Sequence, residues 1–365
     1  MTFIHCFKML FSYQDILSQA KQIQERYFEY VRKYGTPYYI PQKDLGWGIA
    51  PNAQHRTLKA NSNQLGFRKT TLNESDVSNL PTISFWGCSI VEGCELPDEE
   101  TWLWQLQENM KGEFAICNGG VSGYGTDQAF LRFKQRFHDV KSQVAFLGYA
   151  TTDLLRNLSI ERMLLMRHSE EYLFLKPRFI MLSGQLELIL PPETNFQNLV
   201  DVLQQAKTKS FLKQYDPFFV RCSFSQQIKY HLSRKCGLDV TLPEENSLKA
   251  EALQIVWEIF KEFLRFCSDN NVDGRILFLP IYRGLNQSGS DFDFLMQKLD
   301  ENNYPYVDLR KVFINVDKYH EDDLFQPKNH YSALSGGWIS NYLAEYIEHT
   351  WGKARLPSVF KSSLD

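Results

Sequence analysis

From Thr82 onward the chain alternates short runs rich in β-branched and aromatic residues with longer segments whose apolar residues recur at helical spacing. Nothing else constrains the fold as strongly, because strands separated by crossover helices pair in parallel and must be covered on both faces. The first run, "TISFW", leads to "PDEETWLWQLQENMKGE", where Asp98 is a candidate cap, Trp102, Leu106 and Met110 share a face, and Gly112 can close the helix. "FAICNGG" reads as a second strand. "TDQAFLRFKQRFHDV" follows as a helix with Ala129, Phe130, Phe133, Phe137 and Val140 inward, and then "VAFLG" as a third strand. The rhythm resumes with the helix "SLKAEALQIVWEIFKEFLRFC" (Leu248, Ala252, Ile255, Ile259 and Phe263 on one stripe) and the strand "RILFLPIY". The helix "DFDFLMQKLDENN", the strand "PYVDLR" and the helix "ALSGGWISNYLAEYIEHT" close it, the last burying Trp338, Ile339, Tyr342, Leu343 and Tyr346. The expectation is an α/β fold with a five-stranded parallel, flavodoxin-like sheet and helices on both faces.

Two regions fall outside this rhythm. Residues 1–80 read as an N-terminal wrapping segment, and residues 158–245 as a cap insertion in which "RFIMLSGQLELILPP" alternates like a hairpin and "NFQNLVDVLQQAKTKSFLKQ" is helical. The α/β core then comprises 81–157 and 246–350, one elaborated domain without internal repeats. Across the whole chain 40 Lys and Arg nearly balance 43 Asp and Glu, and no block of like charge stands out. Nucleic acid is therefore not an expected partner. No run reaches the roughly 20 apolar residues of a membrane span. The N-terminal stretch is broken by His5 and Lys8 and has no small-residue cleavage site. The seven cysteines are scattered without close pairs, so reduced thiols in a cytoplasmic protein are expected, with no metal and no organic cofactor.

In an open α/β sheet ligands bind at the carboxyl ends of the strands. After strand one stands Ser89. After strand two comes "NGGVSGYGTDQ", with Gly119, Gly120, Gly123 and Gly125. "GYATTDLLRN" follows strand three with Thr151, Thr152 and Asp153, and His330 lies between strand five and the last helix. Each has an ordinary reading. Ser89 could be a helix N-cap, His330 a capping residue and the glycines a tight βα turn, while Cys88 reads as a small buried hydrophobe rather than a thiol nucleophile. Their convergence on one sheet edge favours chemistry, since ester cleavage needs a nucleophile, a base and N–H groups aimed at an oxyanion. The glycine spacing does not fit a dinucleotide site.

These segments resemble the SGNH or GDSL hydrolases, serine esterases on a flavodoxin-like sheet. "GCSIVEG" is similar to the family's first block, "NGGVSGYGTDQ" to its second, "FLGYATTDLLRN" to its third and "NHYSALSGG" to its fifth. "NSNQLGFR" is similar to the Asn-Ser-x-Gly-Phe-Arg lead-in of the polysaccharide-associated branch. The resemblance implies Ser89 as nucleophile, His330 as general base, and Gly123 with Thr152 as oxyanion donors. It also implies a small acyl ester as substrate, O-acetyl on a carbohydrate or related metabolite. The same Ser-His pair would serve an acyltransferase, and a degenerate site would make a binding protein. Cys88 stands where the first block has Asp, and Thr152 where the third has Asn. The family's Asp two or three residues before the histidine is replaced by Pro327 and Lys328. Asp323 is the candidate acid if its loop folds back; otherwise His330 would act in a dyad oriented by a backbone carbonyl.

Overall fold

A computed structural model describes residues 12–166, 174–222, 243–282, 285, 291–313, 316–326 and 329–352. Cys6, Cys236, Pro327 and Lys328 lie outside the described residues, as do parts of the expected wrapping segment and cap. The chain divides into two compact units. Unit one comprises Met1–Ala50, Gly123–Leu131 and Thr152–Ile259, and unit two Pro51–Ser122, Arg132–Thr151 and Phe260–Asp365.

Unit two carries the sheet. Its strands are β1 (Thr82–Trp86), β2 (Ala115–Asn118), β3 (Val144–Tyr149), β4 (Asp273–Phe278) and β5 (Tyr306–Asp308). They are all parallel and run in the order β2-β1-β3-β4-β5. This is the flavodoxin-like order expected from the alternation, with its reversal between β1 and β3. Every residue of β3 is buried, as are Ile83 to Trp86 of β1, which explains why these strands read as unbroken apolar runs.

Seven helices are named with the sheet: α1 (Ser89–Glu92), α2 (Trp102–Asn109), α3 (Thr126–Val140), α4 (Pro243–Asp269), α5 (Asp291–Glu301), α6 (Glu321–Leu324) and α7 (Ala333–Trp351). Adjacent strand residues point to opposite faces, and Phe85 and Trp86 show which helices cover each. Phe85 stacks on Phe146 at 4.7 Å and meets Trp102 of α2 edge-on, while Trp351 of α7 packs against Phe146. On the other face Trp86 meets Phe67 and Phe133, and Phe133 meets Phe263 and Phe266 of α4. Helices thus line both faces. The cap of α2 differs from expectation: Thr101 accepts from the Trp104 N–H at 3.3 Å, and Asp98 is buried among other partners.

Unit one holds a helix over Tyr13–Tyr34 and an antiparallel pair, Tyr39–Gln42 with Gly46–Ile49. The segment expected to form a hairpin does so, with Arg178–Leu182 against Gln185–Ile189. Ser183 and Gly184 turn it at φ 51° and 80°, the paired positive angles of a two-residue turn that follows strand twist. Leu199–Gln204 and Ala206–Tyr215 are helical. Among the described residues no helix is long and apolar enough to cross a membrane.

Candidate active site

β1 ends at Trp86, and Gly87 and Cys88 lead into the single turn of α1, which begins at Ser89. A Cβ at Gly87 would stand 2.5 Å from Val91 Cγ2, so the turn closes this tightly only on glycine. Cys88 belongs to the apolar cluster that includes Ile90 and Val91. After β2 the chain passes close over α1: a Cβ at Gly120 would lie 2.3 Å from the Glu92 nitrogen. The buried Glu92 ties the two segments together, its Oε2 accepting from the Ser122 N–H at 2.5 Å.

His330 is brought to α1 by the chain entering α7. The Gln326 N–H donates to the His330 carbonyl at 2.6 Å and the Asn329 N–H to the Gln326 carbonyl at 3.0 Å, with Asn329 at φ 63°. Phe325 and Tyr331 bridge as short antiparallel partners, and Ser332 caps α7. Ser89 and His330, 7% and 8% exposed, are thereby held from two buried elements. Ser89 Oγ lies 2.7 Å from His330 Nε2.

The opposite ring nitrogen meets a carboxylate that sequence reasoning missed. Glu95 Oε2 lies 3.0 Å from His330 Nδ1. Asp323, the expected acid, is elsewhere: its exposed carboxylate accepts from the His320 N–H at 3.0 Å and caps its own short helix, α6. The carboxylate beside His330 Nδ1 thus belongs to the loop following the serine and not to Asp323. A carboxylate accepting from Nδ1–H selects the tautomer whose Nε2 is free to take the serine proton.

Gly123 and Thr152 belong to unit one. Gly123 has φ 82° and its carbonyl accepts from Arg162 Nη1. Thr152 is exposed within the turn Thr151–Asp153. Cys94 stands beside the site with its Sγ 3.1 Å from Ser122 Oγ. Burial, and then the charge of Glu92, push its thiol up to about 12, so it stays protonated at neutral pH and is a poor nucleophile. Among the described residues no group of three or more His, Cys, Asp or Glu could hold a metal ion.

No family model matches the chain, and no curated protein matches it. Solved structures do resemble it. A psychrotrophic esterase from Pseudoalteromonas sp. aligns over 73% of this chain and 97% of its own, at 11% identity and a TM-score of 0.40. A GDSL-like lipase from Bacteroides thetaiotaomicron aligns over 77% and 92%, at 9% identity and 0.36. A catalytic mutant of an acetylxylan esterase from Geobacillus stearothermophilus aligns over 73% and 94%, at 11% identity and 0.38. At these values the likeness decides nothing about chemistry, which rests on the side chains of unit two.

Proposed function

We propose that the chain is a serine acyl-ester hydrolase. The observation that carries this reading is the line Ser89 Oγ, His330 Nε2, His330 Nδ1, Glu95 Oε2, buried at Ser89 and His330 and closed by contacts of 2.7 and 3.0 Å. His330 takes the proton of Ser89 as Oγ attacks the ester carbonyl carbon, and the resulting imidazolium is held against the Glu95 carboxylate. The Ser89 N–H contributes a donor toward the oxyanion. His330 then gives the proton to the departing alkoxide, leaving an acyl-serine. Water, deprotonated by His330, releases the acid and restores Ser89. The acyl group is a small one, and the acetyl ester of a carbohydrate hydroxyl is the first substrate to try, on the resemblance of "NSNQLGFR" to the polysaccharide-associated lead-in.

The test is turnover of p-nitrophenyl acetate together with covalent labelling by a fluorophosphonate. The native chain should do both, and Ser89→Ala should lose labelling and nearly all turnover. A native chain that is neither labelled nor active on acetyl and longer acyl esters ends the reading. Ser89→Ala with full activity would also end it.

A further inference from the structure

The segment "NSNQLGFR" precedes the sheet and takes no part in the proton relay, yet it ends in one of the largest fully buried side chains of the molecule, Arg68 at 2% exposure. The backbone of Arg68 bridges to Ser62 on one side and to Asn118 at the end of β2 on the other, so its guanidinium is mounted on the sheet. The guanidinium donates to four residues of one loop. Nη1 donates to the carbonyls of Gly93 at 2.6 Å and Glu92 at 3.2 Å, Nη2 to that of Leu96 at 2.5 Å, and Nε to Asp98 Oδ1 at 2.9 Å. Asp98 is in turn held by Asn61, whose backbone N–H and Nδ2 both donate to Oδ2, at 2.9 and 2.8 Å.

These acceptors bracket Glu95 in sequence, with Glu92 and Gly93 before it and Leu96 and Asp98 after it. Glu95 itself sits at φ 75°, a left-handed conformation that a non-glycine residue adopts only when its surroundings impose it. The planar guanidinium, with donors pointing in fixed and different directions, is suited to pinning carbonyls on both sides of such a residue at once.

We propose that Arg68 is the positioning residue of the relay: it fixes the loop Glu92–Asp98 in the one conformation that sets the Glu95 carboxylate on His330 Nδ1. The kinetic side of this inference rests on the hydrolase reading, and the contact itself does not. Lys at position 68 keeps the charge beside Asp98 but presents a compact ammonium that cannot serve both flanks of Glu95. Arg68→Lys should therefore lower kcat on the order of 10- to 100-fold with KM changed less than about threefold, as expected for a misplaced catalytic group. In a Glu95→Gln background, where the carboxylate is already gone, the same change should cost less than about threefold, a non-additivity that a general loss of stability would not produce.

The readout that needs no turnover is the low-field proton resonance of His330 Nδ1–H, assigned in selectively labelled full-length chain. It should persist in Ser89→Ala, vanish in Glu95→Gln, and vanish or broaden in Arg68→Lys. An unaltered resonance in Arg68→Lys, or an equal kinetic cost in both backgrounds, overturns the proposal. If the chain proves inert toward esters, the hydrolase reading falls while the resonance still decides the role of Arg68. Should Arg68→Lys not fold, the charge-neutral pair Arg68→Gln with Asp98→Asn carries the same measurements. Failure of both to fold assigns Arg68 to stability alone and overturns the positioning role.

Discussion

A carboxylate on His330 Nδ1 has two jobs, selecting the tautomer before attack and stabilising the imidazolium during it, and the second appears mainly in the transition state. Glu95→Gln should therefore depress kcat by roughly 10²- to 10⁴-fold while KM stays within a few-fold, measured by initial rates on p-nitrophenyl acetate. Asp323→Asn should leave kcat unchanged, because that side chain serves the His320 N–H, and an asparagine side-chain oxygen can accept the same hydrogen bond. If the two variants exchanged these phenotypes, the assignment of the acid would be wrong. Ser89 and His330 were legible as a candidate pair from their positions after strand one and before the last helix. Glu95 was not. Its side chain is one of several acids in "VEGCELPDEE", and the order of triad partners along a chain is not dictated by their geometry.

At the scale of elements, the site depends on the close passage of the chain after β2 over α1. Gly120→Ala would place a methyl 2.3 Å from the Glu92 nitrogen, a backbone atom that cannot swing aside. The substitution should destabilise the protein by about 1–3 kcal/mol, the usual cost of overpacking, in a denaturant titration. It should also lower kcat in the fraction that folds, since α1 begins with Ser89. A neutral Gly120→Ala would show that α1 and this segment do not constrain one another. The strands were readable because burial on both faces imposes continuous apolar runs, and the hairpin Arg178–Leu182 with Gln185–Ile189 because Ser183-Gly184 suits its turn. Asp98 reads in sequence as a candidate cap of α2 because a carboxylate near a helix start has the same signature whether it caps that helix or, as here, binds a buried arginine.

At the scale of the whole molecule, unit one contains a carboxyl that makes stability depend on pH. Glu161 is fully buried, and burial, reinforced by the charge of Asp216, pushes it up to about 8 from 4.5. Burial also pushes Asp216 up to about 6 against the backbone N–H groups of Ile160, Glu161 and Phe218. A raised carboxyl holds a proton in the folded chain that the unfolded chain has released, so stability falls as pH rises toward the folded value, by up to about 1.4 kcal/mol per pH unit for one group. Between pH 6 and pH 8 the fall should come chiefly from Glu161 and appear as a decreasing Tm. Glu161→Gln should flatten that part of the profile, and a parallel profile in the variant would contradict it. What the sequence determined by itself is whatever local pattern can encode: which runs become strands, which stripes face a core, that the sheet is parallel, and which polar residues stand at its strand ends. What only the tertiary structure decided is which of many carboxylates meets His330 and what the buried Arg68 holds. Those pairings join residues far apart in the chain, through loops whose conformations are set by the packing around them, and no periodicity in the sequence records them.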